Sequence, residues 1–136
     1  MTVFKDYLVE ASTASDLAIA ILDKNKLTVP VSGQDASKEG MNNVLSGKQC
    51  MTVFKDYLVE ASTAADLAIA ILKGETPTTN KQLADGTPFQ AADPQALYAD
   101  AASLDGFKQA LDRSGLTAAD VCTGDAAAKC TEIGLS

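Results

Sequence analysis

The chain contains no histidine and no tryptophan. Without imidazole it lacks the usual general base near neutral pH, the Ser–His and Cys–His nucleophile pairs, and every imidazole metal site. Basic residues are also scarce. Lys and Arg number 11 against 18 Asp and Glu, a net charge of −7, with an isoelectric point near 4.4. Phosphate-backbone binding, which depends on Lys and Arg releasing counterions, is therefore not expected, and no nucleic-acid partner is assigned. Long apolar runs are missing too. The longest, residues 17–22 and 67–72, are each bounded by an Asp and fall far short of the roughly 20 apolar residues of a membrane span. Residues 1–6 show no basic leader running into an apolar stretch and a small-residue cleavage site, so no signal peptide is expected in this chain.

What is present is ordinary globular material: 136 residues, 46% hydrophobic and 21% charged. A chain of this length suits one compact domain able to bury roughly two-thirds of its extended surface. Its organising feature is a repeat. Residues 1–22, MTVFKDYLVEASTASDLAIAIL, recur as residues 51–72 with Ser15 against Ala65 as the only difference. Solenoid repeats drift and come in threes or more, so a single near-exact pair fits a recent duplication, a recombination or an engineered splice better than a repeat architecture.

Each copy opens on Thr-Val-Phe, a β-branched and aromatic run suited to a strand, and then meets an Asp able to accept from the free N–H groups of a helix start. In the second copy Leu58, Ala61, Ala65, Ala68, Ile69 and Leu72 share one helical face, with Glu60, Thr63 and Asp66 on another. Gly74 is the expected stop for that helix, and Asn25 takes the corresponding left-handed position after the first copy. Between the copies, residues 28–32 read as a short strand whose Pro30 places it at a beginning or an edge, ended by Gly33-Gln34-Asp35. Ser37 caps a helix over residues 38–46, interrupted by Gly40 and stopped by Gly47. Residues 1–73 thus read β-α-β-α-β-α. The expected fold is α/β: a small parallel sheet of flavodoxin or periplasmic-binding-protein type, with a helical C-terminal tail. Residues 75–93 read as a surface loop, residues 94–111 as a helix broken near Asp105-Gly106, and Thr117 or Asp120 as the start of the tail. The division expected is residues 1–75 as the β-α unit and 76–136 as loop and tail.

Cys122 and Cys130, eight positions apart around Gly124, are expected to form a disulfide that pins the terminus, which implies an oxidising compartment. A metal or redox pair is disfavoured by the lack of a second Cys pair, of histidine and of C-x-x-C spacing. Cys50 is expected to be a small buried hydrophobe. Glu10, Asp16, Glu60 and Asp66 belong to the solvated faces of amphipathic helices, and with no phosphate-cradling glycine loop and no metal-ligand cluster, no enzyme activity, cofactor or metal is assigned.

Residues 29–36, Val-Pro-Val-Ser-Gly-Gln-Asp-Ala, then a short helix, then Ser46-Gly-Lys-Gln-Cys-Met-Thr-Val-Phe-Lys55 and an Ala-rich helix ending Lys73-Gly74-Glu75, resemble the late part of xylose-binding-type proteins. These are type I periplasmic sugar-binding proteins, the substrate-capturing components of ABC transporters. The likeness spans about residues 26–75, and the Cys-bearing tail resembles the C-termini of exported actinobacterial members. Such proteins close two α/β lobes around a sugar. The resemblance covers only the closing segment, so it implies a rearranged fragment whose parent is exported, binds a pentose or hexose, and docks on a membrane permease. It implies further that Asp35 and Lys55 match residues reaching sugar hydroxyls, with Gln34 beside them. A carboxylate just past a parallel strand accepts two hydroxyl donors, and an ammonium offers three donors. Lys5, the duplicate of Lys55, is read as structural or solvated. Asp35 has the plainer alternative of capping a helix, Lys55 that of an exposed strand end, and the chain that of a purely structural fragment with no ligand. In the family the helix matching residues 57–72 packs on the other lobe, so unless the tail covers that apolar face a homo-oligomer is expected, formed by association or by domain swapping.

Overall fold

The computed structural model describes the backbone of residues 3–135 and the side chains of residues 14–135. The elements run α1 (Val3–Lys24), β1 (Ser32–Gln34), α2 (Lys38–Leu45), β2 (Met51–Phe54), α3 (Tyr57–Leu72), β3 (Lys81–Gln82), β4 (Pro88–Phe89), β5 (Gln95–Leu97), a 3₁₀ turn (Ala101–Ser103), α4 (Leu104–Ser114), α5 (Ala118–Val121) and α6 (Ala126–Ile133). By contact the chain forms two units. One contains the residues up to Phe54 and those from Gln95 onward, and the other is Lys55–Pro94. Neither boundary coincides with residue 75.

The first unit carries a three-stranded sheet in the order β1-β2-β5. β1 pairs parallel to β2, with Gly33 opposite Thr52, while β5 pairs antiparallel to β2, with Ala96 opposite Val53. The sheet is therefore mixed, and the expected all-parallel arrangement holds only for β1 and β2. The core beneath it is built from two helices with matching patterns. Gly40, Met41, Val44 and Leu45 are buried on α2, and Gly106, Phe107, Ala110 and Leu111 on α4, each a pair of adjacent residues repeated one turn later, as a 3.6-residue period requires. Ala36, Phe54, Leu97, Val121, Ala126, Cys130, Ile133 and Leu135 complete the cluster. The Asn42 amide ties α2 to the tail, donating to the carbonyl of Val121 at 2.7 Å.

Several expectations are corrected. The first copy does not begin with a strand: Val3 and Phe4 lie in α1, whereas Val53 and Phe54 lie in β2. A strand exists only where a partner supplies its ladder, and the second copy has one on each side. The strand expected at residues 28–32 forms at Ser32–Gln34 instead. Residues 27–31 are irregular, Val31 contributing only its carbonyl, which accepts from the Cys50 N–H at 2.7 Å. After α1 the left-handed residue is Lys26, at φ 54°, and not Asn25; the Asn25 amide donates to the carbonyl of Ile21 at 2.7 Å and closes the last turn from its side chain. The helix expected at residues 94–111 is split. Gln95–Leu97 is drawn into β5 by the open edge of β2, and Gly106 breaks nothing: it lies inside α4, where a methyl group would collide with Leu97. Cys50 is exposed.

α1 docks through the C-terminal part of the first copy. The Ser15 hydroxyl donates to the carbonyl of Ser32 at 3.1 Å, Asn43 donates to Asp16 at 2.6 Å, and Ile19 is buried. The one position at which the copies differ thus makes a contact that Ala65 cannot make.

In the tail, Thr117 and Asp120 form a reciprocal capping box at the start of α5, and Cys122 and Cys130 are joined by a disulfide with Cα atoms 5.9 Å apart.

In the second unit Asp56 caps α3, accepting from the N–H groups of Leu58 and Val59, and Gly74 follows the helix at φ 72°. The segment expected as loop contains a small antiparallel hairpin, β3 with β4. Its Asp85-Gly86 turn is fixed by Asp85 accepting from the Thr87 N–H at 2.9 Å, and Asn80 and Ala91 exchange two hydrogen bonds. α3 buries no residue. The apolar face expected to need a cover is open, with Leu58 at 50%, Ile69 at 48% and Leu72 at 86% exposure.

Candidate functional site: the turn after the parallel strands

Because β1 and β2 run parallel, their carboxyl ends lie at the same side of the sheet, the place where open α/β sheets put their ligands. Gln34 ends β1 and is exposed, and Asp35 follows it half-buried. Lys55 follows Phe54, the last residue of β2, and opens the second unit.

The turn carrying Asp35 has unusual backbone geometry. Asp35 at φ 74° and Ala36 at φ 45° are two consecutive non-glycine residues in the left-handed region, a conformation costing of order 1 kcal/mol or more that persists only where neighbours impose it. Two bonds to β2 do so. The Asp35 N–H donates to the carbonyl of Val53 at 2.7 Å, and the Ala36 N–H donates to the buried hydroxyl of Thr52 at 3.2 Å. The chain then enters α2 through Ser37, whose hydroxyl accepts from the Gly40 N–H at 3.0 Å. Ser37 is the N-cap of α2.

Behind the turn, Gln49 is buried and donates to the carbonyl of Met51 at 2.9 Å. It fills the space above Gly33, where any side chain would collide with it. Sequence reading missed both Thr52 and Gln49. The inward alternation of Thr52 and Phe54 along β2 was the available signal for Thr52; nothing local marked Gln49.

Other clefts lie elsewhere, with one in each unit of comparable size. In the first unit a polar cleft of about 290 Å³ is lined by Asp16, Lys38, Asn42, Asn43, Asp120 and Thr123 among others. The Asp120 carboxyl is held below its ordinary value by the hydroxyl and N–H of Thr117, with Lys38 contributing. In the second unit a cleft of about 280 Å³ lies between α3 and the following loop, lined by Thr63, Asp66, Leu67, Ala70, Thr78 and Gln90. Neither is lined by Gln34, Asp35 or Lys55. Among the described residues there is no group of three or more Cys, Asp or Glu placed to hold a metal ion, and no helix is long and apolar enough to cross a membrane.

No protein-family model matches the chain, and no curated protein matches it. Solved structures do. A carbohydrate-transporter solute-binding protein from Chloroflexus aurantiacus, in complex with D-glucose, is similar over 67% of this chain at 29% identity and a TM-score of 0.50. An ABC-transporter solute-binding protein from Clostridium phytofermentans with bound β-D-glucose matches 63% of this chain at 31% identity and a TM-score of 0.48. The chain spans about a quarter of each, 26% of their length. Its mixed α/β arrangement is thus similar to part of the carbohydrate-transporter solute-binding protein from Chloroflexus aurantiacus.

Proposed function

We propose that this chain is a rearranged closing segment of an ABC-transporter sugar-binding protein, and that Gln34, Asp35 and Lys55 are its sugar-contacting residues. The observation that carries the reading is the Asp35 turn, placed at the end of a parallel strand and held in left-handed geometry by Val53 and Thr52. The likeness to a glucose-bound solute-binding protein over two thirds of the chain supports it. Asp35 would accept from two sugar hydroxyls, Gln34 would donate or accept, and Lys55 would donate. In the parent, an exported protein, the bound pentose or hexose would pass to a membrane permease. The doubled residues 1–22 reflect a duplication or splice within that parent.

Ligand pockets enclose most of their ligand's surface, and a single strand-end turn cannot. Affinity in the chain alone is therefore expected near the millimolar range, about −4 kcal/mol. Calorimetric titration with a panel of pentoses and hexoses tests this, with Asp35→Ala as the control. Weak heat that disappears in the variant supports the reading. Silence across the panel leaves the second one, a structural fragment without ligand, which is favoured by the absence of Asp35 and Lys55 from the lining of both clefts. Self-association through the exposed Leu58, Ile69 and Leu72 of α3 is the matching proposal for oligomeric state, and a strictly monomeric light-scattering mass would remove it.

A further inference from the structure

One sequence stands in two conformations within this chain. Thr52, Val53 and Phe54 lie in β2, while the identical Val3 and Phe4 lie in α1. We propose that residues 2–4 are a spare strand, able to take the place of residues 52–54 between β1 and β5 of the same chain.

The place makes three demands. It needs a hydroxyl to receive the Ala36 N–H, supplied by Thr52; an aromatic ring in the core, supplied by Phe54 at 4% exposure; and a backbone that pairs with Ser32–Gln34 on one side and Gln95–Leu97 on the other. Thr2 and Phe4 carry the same hydroxyl and ring in the same register, with Val3 between them. Asp6 follows as Asp56 does, ready to cap a helix beginning at the next residue, as Asp56 caps α3 at Tyr57. Residues 5–31 would then connect this strand to β1 as a parallel neighbour, and such a crossover needs only a dozen or so residues.

What selects the second copy is the docking of the first. The Ser15 bond to Ser32, the Asn43 bond to Asp16 and the burial of Ile19 hold α1 in place, and Ala65 cannot make the first of these. The two arrangements share the same strand side chains, so the spare strand should come forward when the resident one is damaged.

The test damages each copy separately. Phe54→Asp puts a carboxylate into the core and should destroy the fold unless Phe4 replaces the ring. The expected result is that F54D keeps a cooperative thermal transition, F4D behaves as the parent, and F4D/F54D loses the transition. Should F54D lose it as completely as the double variant, there is no spare strand. A second measurement does not depend on F54D folding. With Phe54 intact and Cys50→Ser removing the free thiol, the pair V3C/A96C is oxidised and mapped by peptide mass, since Ala96 faces the place of Val53. Accumulation of a 3–96 disulfide at monomer mass is expected. Absence of that link, or a link joining two chains, overturns the proposal.

Discussion

Replacing Thr52 by Val tests how the candidate site is held. Thr52 is completely buried, and its hydroxyl is the acceptor for the Ala36 N–H, itself 2% exposed. Val keeps the branch and nearly the volume but leaves that N–H without a partner away from water. An unsatisfied buried donor costs about 1–3 kcal/mol. Ala36 is one of the two left-handed residues of the turn, so the loss falls on the segment that presents Asp35. Amide hydrogen exchange reads it directly: the Ala36 N–H should exchange about 5- to 150-fold faster in T52V, since each 1.4 kcal/mol is tenfold. The urea midpoint should fall accordingly. Thr52→Ser retains the acceptor, and its Ala36 amide should stay protected despite the lost methyl. If T52V left Ala36 exchange within twofold of the parent and the urea midpoint unchanged, the hydroxyl would not be holding the turn, and the argument for an imposed Asp35 geometry would fail.

Three further outcomes are expected. Gly106→Ala should destabilise the first unit by about 1–3 kcal/mol, read by urea unfolding, because the added methyl meets Leu97 in a closed core; a neutral result would mean that α4 and β5 are not packed this closely. Cys122→Ser with Cys130→Ser should cost about 2–3 kcal/mol through the short loop that the bridge closes, whereas a chain equally stable under reducing and oxidising conditions would refute that. Asp120 has a folded-state value below its ordinary 3.8, so its contribution to the α5 capping box is complete above that value and is lost as the pH falls through the lower folded value. The Thr117 amide resonance should therefore titrate below about pH 4 and stop doing so in Asp120→Asn.

Where local chemistry decides the structure, the sequence was readable. Ser37 and Gly47 bracket α2, Asp56 and Gly74 bracket α3, Thr117 opens α5, and Cys122 meets Cys130, because caps and short loops act within a few residues. Where a distant partner decides, it was not. Thr-Val-Phe has strand propensity in both copies, but propensity creates no ladder; only residues 52–54 lie between β1 and β5. Gln95–Leu97 fits a helical period as well as a strand, and the exposed edge of β2 settles it. The helix α3 forms as its spacing predicts, but the face expected to be covered is exposed, and its half-buried residues are Thr63, Leu67 and Ala70 instead. The end of β1 at Gln34 and the turn at Asp35 were legible from Gly33-Gln34-Asp35 closing a strand, while the Thr52 and Gln49 supports depend on a neighbouring strand and a returning loop.

The central claim is tested most directly by following backbone amide resonances while D-glucose, and then D-xylose, is titrated to about 100 mM. The account predicts saturable shifts confined to Gln34, Asp35, Ala36 and Lys55, all lost together in Asp35→Ala. Shifts confined to the α3 cleft around Thr63 and Gln90, or no shifts with either sugar, would contradict it.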